Sequence, residues 1–318
     1  MTGQKDLERG MKMSNRLGAS CLAVALLLPG VVLAAPATYD SPDAAAEAVV
    51  TALRAADRQA LLAVFGPENE DVIFTGEDPK DREIWTRYLA SWDELHRVAE
   101  EADGTATIYI GADQWPVPAP LVKSADGKWS FDADAAREEV LNRRIGENEL
   151  DVIALLRGYA RVQSEYRQTD WDGDGILSFA LDILSSEGKR DGLYWPSVEG
   201  TPESPVGDFM ARAAAQGYSH AGKDVEPEPY MGYYYRVLGA QGPAAPGGAF
   251  DYVINGRMMA GHALIAMPAD YGDTGIMSFM VGESGVVYEA DLGEDTLAKA
   301  SAISAFDPGD GWSVVEDD

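Results

Sequence analysis

Three aspartates alternate with other residues in the segment DWDGDG at residues 170–175. The D-x-D-x-D-G spacing is typical of an EF-hand-type loop, in which alternate carboxylates turn toward one hard cation and glycine allows a sharp turn. Three carboxylates this close repel one another unless a cation neutralises them, which favours Ca²⁺. The sequence therefore predicts a Ca²⁺ site. The alternatives are a plain Asp/Gly turn that caps the neighbouring elements, or a site for another metal.

The predicted loop lacks one ligand. A full EF-hand loop has a bidentate acid at its twelfth position, but here that position is Leu181, and Asp182 follows it. Asp182, or an acid far away in the sequence, would have to complete the coordination. The predicted metal ligands are therefore Asp170, Asp172, Asp174 and Asp182, and no other cofactor is expected.

Familiar catalytic motifs are missing from the sequence. The chain has no H-E-x-x-H zinc motif, no G-x-S-x-G nucleophile motif, no P-loop and no dinucleotide fingerprint. The histidines His96, His220 and His262 do not lie at ligand spacing, so each is expected to be structural or solvated. Neighbouring acids are expected by chance among 53 acidic residues. No catalytic residue is predicted.

An aromatic set is the second candidate binding feature. Within a strand, Tyr233 and Tyr235 would share one face while Tyr234 lies on the other, so part of the set would be exposed or covered by a loop. Exposed Tyr and Trp beside an arginine would suit contact with a protein or a glycan. Burial of the whole set between sheet and loop is the interpretation that the residues favour. The predicted partner-binding residues are Tyr194, Trp195, Tyr233, Tyr235 and Arg236.

The overall charge limits the kind of partner. Asp and Glu outnumber Lys and Arg by 53 to 25, which gives a formal net charge of −28. Such a chain disfavours nucleic acid and anionic membrane surfaces, because few cations remain to contact phosphates. It favours cationic partners or divalent metals.

Residues 1–34 are predicted to be a secretory signal peptide. A basic start precedes an apolar run at Cys21–Leu33, and small residues precede the expected cleavage after Ala34. The apolar run is shorter than the ~20 residues that a spanning helix needs, so no stable membrane span is expected. The prediction places the mature protein in the periplasm, without the chain's one Cys. The start site is one of three methionines, Met1, Met11 and Met13.

The remaining chain is predicted to be α+β in two parts, of which residues 35–145 form the first. Ser41 and Asp57 are predicted helix N-caps, and a third helix is expected from Pro79 to about Glu101. Strand patterns follow at Thr105–Ile110 and Trp115–Val122, with a hairpin turn at Asp126-Gly127. Helices followed by a short antiparallel sheet resemble cystatin-like and NTF2-like domains.

Residues 146–318 are predicted to form a second domain, a long helix packed on an antiparallel sheet. A helix that comes before Gly146 is expected to break at this glycine. The long helix then runs from Glu147 to about Arg167, directly before the aspartate loop. The later elements predicted are short helical material at Phe179–Leu184, a Gly/Pro-rich excursion at 188–229 with one helix at Val206–Gln216, and strands at Tyr233–Leu238, Met258–Ala266, Ile276–Val281 and Val286–Ala290.

Four longer strings support a resemblance to a known family. They are NRRIGENE at 142–149, DGLYWP at 191–196, GYYYR at 232–236 and AQGPAAPGG at 240–248. Together they resemble the exported bacterial proteins grouped as domain-of-unknown-function family 2950 (DUF2950), over nearly all of the mature chain. The resemblance implies an exported protein, and no established activity comes with it.

A second resemblance covers residues 147–184 and 233–291. A helix, an Asp/Gly loop and an antiparallel sheet in that order are similar to the globular head of type II secretion pseudopilins. A pseudopilin helix begins as an apolar membrane segment at the start of its chain, whereas this helix begins in mid-chain. A shared fold therefore need not mean shared filament assembly.

These observations favour an exported, non-enzymatic periplasmic binding or assembly-accessory protein that is stabilised by Ca²⁺ and has an unidentified protein or envelope partner. The alternative is a cell-envelope hydrolase that uses carboxylates in a cleft between the two domains. A third hypothesis is a purely structural envelope protein, in which the residues of the aromatic set are all buried.

Overall fold

The computed structural model describes residues 35–205 and 229–316. Helices and antiparallel sheets occur in both halves of the described chain, so the predicted α+β class is confirmed. The predicted signal peptide, the predicted helix at Val206–Gln216 and His220 lie outside the described residues. No helix within the described ranges is long and apolar enough to cross a membrane.

The first elements of the described chain are helices, and two of them begin at the N-caps that the sequence predicted. The Ser41 hydroxyl accepts the Ala44 amide at 3.1 Å, and the Asp57 carboxylate accepts the Ala60 amide at 3.0 Å. Both predicted N-caps are therefore confirmed. The helices are α1 (Pro42–Arg54), α2 (Arg58–Phe65), α3 (Glu70–Ile73) and α4 (Asp78–Glu94).

Helix α4 ends earlier than predicted. It stops at Glu94, and His96–Glu100 form strand β1 instead of a last helical turn. Residue-by-residue pairing of β1 with the next strand provides backbone hydrogen bonds that outweigh local helix preference. The buried face of α4 carries Trp85 and Trp92.

The first sheet follows β1 and is antiparallel throughout. Its further strands are β2 (Thr105–Ile110), β3 (Trp115–Pro116), β4 (Leu121–Lys123) and β5 (Trp129–Phe131), in the spatial order β1-β2-β4-β5 with β3 paired to β2. The predicted strand Trp115–Val122 is split because prolines at 116, 118 and 120 lack the amide that a ladder needs. Alternate side chains of β2, from Ala106 to Ile110, face the helices.

One helix, α5 (Ala133–Tyr166), joins two hydrophobic clusters. Ala136 belongs to a cluster built from residues 45–136, whereas the second half of α5 packs into a cluster built from residues 152–306. The expected break at Gly146 is wrong, because the helix continues through it. A helical glycine costs only about 1 kcal/mol, which packing at both ends of the helix outweighs. The domain boundary predicted between residues 145 and 146 stays a prediction, and it falls inside this helix.

The second half consists mainly of strands. They are β6 (Asp182–Leu184), β7 (Gly192–Tyr194), β8 (Tyr233–Leu238), β9 (Ala240–Gln241), β10 (Phe250–Asp251), β11 (Val253–Ile254), β12 (Arg257–Met258), β13 (Ala263–Pro268), β14 (Met277–Gly282), β15 (Val287–Asp291) and β16 (Ser313–Val314), together with helix α6 (Thr296–Ala302). The main sheet is antiparallel in the order β16-β15-β14-β13-β8. Helix α5 covers one face of it, and every residue of β13 is buried.

Two predictions for this half need correction. The helical material expected at Phe179–Leu184 is wrong, because Phe179 forms a bridge with Met258 and Asp182–Leu184 pair in parallel with β7. A short apolar run does not distinguish helix from strand by periodicity alone. The strand expected at Met258–Ala266 is interrupted at residues 259–262.

The continuous helix predicts that Gly146→Ala stabilises the protein. Nothing lies within 4 Å of a Cβ at Gly146, and its φ is not positive. Alanine should therefore add about 0.5–1 kcal/mol to the free energy of unfolding, measured by urea titration. Gly158→Ala, also inside α5, is the matched control. Stabilisation at Gly158 with destabilisation at Gly146 would show that Gly146 is a hinge.

Candidate functional site

The aspartate loop begins just beyond the end of α5. One carboxylate oxygen from each of Asp170, Asp172 and Asp174 lies within 4.8 Å of the others. Gly173 and Gly175 have φ values of +75° and +86°, a backbone conformation that favours glycine. Three of the four predicted ligands are thus brought together by the turn that their sequence indicated.

Asp170 caps the loop itself. Its carboxylate accepts the amides of Gly173 at 2.8 Å, Asp174 at 3.2 Å and Gly175 at 2.8 Å. These bonds, that of Gly175 foremost, hold the pKa of Asp170 below its usual value against a smaller opposing effect of burial. The role of Asp170 therefore agrees with the alternative prediction of a capping Asp/Gly turn.

Arg257 supplies a cation to the other two aspartates. Its guanidinium lies 3.0 Å from Asp172 and also forms an ion pair with Asp174. Arg257 reaches them from the β11–β12 hairpin, which turns at Asn255-Gly256 with positive φ at both positions. The repulsion that favoured Ca²⁺ in the sequence is therefore relieved here by an arginine far along the chain.

Asp182 lies apart from this carboxylate group. It is the first residue of β6, and within the described ranges it does not share the cluster formed by the other three aspartates. Its charge instead reaches Tyr159. Burial first, and then the charges of Tyr252 and Asp182, raise the pKa of the Tyr159 hydroxyl.

A cleft of about 1180 Å³ opens beside the loop, between residues 166–201 and the β11–β12 hairpin. We call it the loop cleft. Trp171 and Trp195 line it, with ring centroids 4.7 Å apart and planes tilted by 59°. Their indole N–H groups donate to the backbone oxygens of Tyr166 at 2.9 Å and Pro202 at 3.1 Å. These bonds fix the rings, so the cleft has a preformed aromatic wall.

The family of the chain follows from comparison with known proteins. A family model described as "Protein of unknown function (DUF2950)" matches residues 36–315. The chain belongs to this family. The resemblance carried by the four sequence strings is thereby confirmed. Neither a curated protein nor a solved structure matches the chain.

In this DUF2950 member the five predicted partner-binding residues do not form one exposed surface. Tyr233, Tyr235 and Trp195 are buried, and the Tyr233 hydroxyl donates to the Met277 oxygen at 2.9 Å. The guanidinium of Arg236 donates to the backbone oxygens of Ala300 at 2.7 Å and Ile303 at 2.5 Å, which ties β8 to α6. Tyr194 is half-buried. Among the five, Trp195 alone lines the loop cleft.

Paired acids occur where α5 meets the sheet. Glu149 accepts the amides of Ile276 and Met277, each at 2.9 Å. Burial, and then the charge of Glu149, raise the pKa of Glu289. Glu149 acts as an anchor between helix and sheet, and neither acid lines the loop cleft.

His262 is an unusual residue that sequence reasoning did not single out. It is fully buried, and neither ring nitrogen has a hydrogen-bond partner among residues 35–205 and 229–316. Its ring forms T-shaped contacts with Phe179 and Tyr159, with ring centroids 4.7 Å and 5.3 Å apart. Burial, and then the charge of Arg167, lower its pKa to about 4. His262 is therefore neutral in the folded protein at pH 7. His96, in contrast, stacks on Trp92 with ring centroids 3.8 Å apart.

The buried imidazole predicts a loss of stability on mild acidification. The unfolded chain binds a proton at His262 near pH 6.5, whereas the folded chain does so only near pH 4. Between these values the free energy of unfolding should fall as pH falls, by up to about 1.4 kcal/mol per pH unit from this group. Urea titrations at pH 7, 6 and 5 measure the slope.

His262→Leu should flatten that slope. Phe131→Leu, which truncates a buried ring in the other hydrophobic cluster, should lower stability equally at each pH and is the control. If wild type and His262→Leu show the same pH dependence, the imidazole is not the group responsible.

Proposed function

We propose that this DUF2950 member is an exported, non-enzymatic binding protein whose ligand occupies the loop cleft. The cleft itself carries the proposal. Its volume of about 1180 Å³ exceeds the ~300–1,000 Å³ of a typical small-molecule site. Fixed aromatic rings and several charged groups line one concave surface, so the cleft can offer both apolar and charged contacts to a ligand.

The acids of the cleft support binding over catalysis. Asp172 pairs with Arg257, and Asp191 accepts the Ser186 amide at 2.8 Å. Two of the three acids that line the cleft thus have an ion-pair or hydrogen-bond partner. General acid–base chemistry would instead need two facing acids whose environments push their pKa values apart.

Export and an envelope partner complete the proposal. The basic start and apolar run of residues 1–34 support secretion. The packing of α5 on an antiparallel sheet supports the likeness to pseudopilin heads, and with it an assembly-accessory role beside ligand binding. The strong negative charge favours solubility in such a compartment.

Ca²⁺ is proposed as a competitor of Arg257. The three clustered carboxylates are a hard-cation donor set. Asp172 and Asp174 already share the arginine, however, and the loop's twelfth position is Leu181. Ca²⁺ would therefore stabilise the loop only by displacing the guanidinium, with Asp170, Asp172 and Asp174 holding the ion.

A blocked cleft should abolish ligand binding. Ser186 lines the cleft with an exposed side chain, so Ser186→Trp should fill it without disturbing the core. Ser284→Trp, in the exposed turn between β14 and β15, is the matched control. On an array of glycans and peptides, wild type and the control should retain ligands that Ser186→Trp loses.

Mass spectrometry of the retained ligand after incubation then checks the absence of catalysis. Ligand recovered unchanged supports a binding protein. Retention by Ser186→Trp places the site elsewhere, and cleaved ligand favours the hydrolase alternative.

Removal of Arg257 should increase the response to Ca²⁺. Arg257→Gln leaves Asp172 and Asp174 without their cation, so its Tm should fall in EDTA and recover in millimolar Ca²⁺. A ligand at ~100 times its Kd adds about 2.7 kcal/mol of stability. Wild type should respond less, because the arginine competes.

Two controls define that experiment. Mg²⁺ tests selectivity, and adding Asp172→Asn to Arg257→Gln should remove the Ca²⁺ response. If neither wild type nor Arg257→Gln responds to Ca²⁺, the loop is a capping turn without a metal function.

A further inference from the structure

We propose that the ligand of the loop cleft is an acidic oligosaccharide and that Arg190 binds its carboxylate. The inference rests on the proposed binding function and names the ligand class for that same site.

Arg190 lies against the aromatic wall. Its guanidinium carbon is 5.7 Å from the Trp171 ring centroid and 5.6 Å from that of Trp195. A cation over an indole uses the flat face of the guanidinium. A contact of this kind does not use the five N–H donors of the guanidinium. The rings therefore orient the arginine without consuming its hydrogen bonds.

Arg190 also differs from the other cations of the cleft. Arg257 pairs with two aspartates, and Lys189 lies 3.8 Å from Asp191. The Arg190 side chain forms no ion pair or hydrogen bond with any residue in the ranges 35–205 and 229–316. A half-buried arginine with unused donors, in a chain so rich in acids, is suited to a carboxylate that arrives with the ligand.

The local charge permits such a ligand. The lining contains three acidic and three basic residues, although acids outnumber bases 53 to 25 in the whole chain. An anion therefore meets far less repulsion in the loop cleft than the overall charge of the protein suggests. The guanidinium can then bind a carboxylate through two parallel hydrogen bonds.

The remaining lining favours a sugar over a peptide. Hydroxyl groups also line the cleft, and they can both donate to and accept from sugar hydroxyls. They belong to Thr169, Ser178, Ser185, Ser186 and Thr201. Together with the half-buried Trp171 ring, they match the alternating polar edges and apolar faces of a sugar chain. The volume of the cleft allows more than one ring.

Isothermal titration calorimetry with three probes tests the inference. The probes are galacturonic-acid oligomers, the same oligomers as methyl esters, and an acidic peptide. The acid oligomers should bind wild type. The esters should bind at least about tenfold more weakly, because they lose a charge-assisted hydrogen bond pair.

Variants at Arg190 test whether this side chain is responsible for binding of the acid oligomers. Arg190→Gln should weaken binding of the acid oligomers about tenfold or more, and Arg190→Lys should restore only part of it, since lysine lacks the planar fork. Arg161→Gln, at an exposed arginine of α5, should stay within about twofold of wild type. Should Arg190→Gln fold poorly, Arg190→Lys and the esters still decide the question.

The contrary outcomes separate the inference from the proposed function. Esters that bind as tightly as acids, or an Arg190→Gln variant that binds like wild type, overturn the role of Arg190 and leave cleft binding intact. Binding of the peptide alone overturns the sugar class. Failure of all three probes overturns this inference, while the array experiment with Ser186→Trp decides the binding function independently.

Discussion

The packing of one continuous helix against two hydrophobic clusters determines where every other feature lies. Helix α5 shares Ala136 with the first cluster and packs Val152, Leu156 and Tyr159 into the second. Its middle is fixed by Glu149, which accepts two amides at the start of β14. Because the helix cannot rotate without breaking both sets of contacts, its last turn delivers the aspartate loop at one defined place beside the sheet.

Charge neutralisation within the loop depends on that placement. The ion pairs of Arg257 with Asp172 and Asp174 form only because α5 sets the loop against the β11–β12 hairpin. The same contact forms one edge of the loop cleft. A cation that competes for the aspartates would therefore displace the arginine at this edge, which couples the metal chemistry of the loop to the shape of the binding surface.

Local signals in the sequence were sufficient where one residue type decides the structure. Ser41 and Asp57 cap helices because their side chains reach an amide within the next three residues, and the loop glycines allow the positive φ that the turn needs. Glycine at position 146 was misleading, because a local preference of about 1 kcal/mol is smaller than the packing at both helix ends. The strand at His96–Glu100 was missed for a similar reason, since its partner strand supplies the hydrogen bonds.

The candidate site was harder to predict, because its parts come from distant segments. The DWDGDG spacing located three carboxylates, but nothing near them indicated Arg257 as their cation. The position of Arg190 against two tryptophan rings likewise depends on tertiary structure. Sequence spacing can position ligands within one loop, whereas the identity of the counter-charge is a property of the fold.

Buried polar groups finally connect the stability of the fold to the shape of the loop cleft. Phe179 lines the cleft, and on the protein side its ring forms a T-shaped contact with the His262 ring. Gln163 of α5 holds the adjacent Ala180, donating to its oxygen at 3.0 Å and accepting from its amide at 2.9 Å. This wall therefore rests on a neutral imidazole and a fully buried amide. A proton on His262 would place an unpaired charge behind the wall, near Arg167. The group that makes folding sensitive to acid thus lies directly behind the surface proposed to bind the ligand.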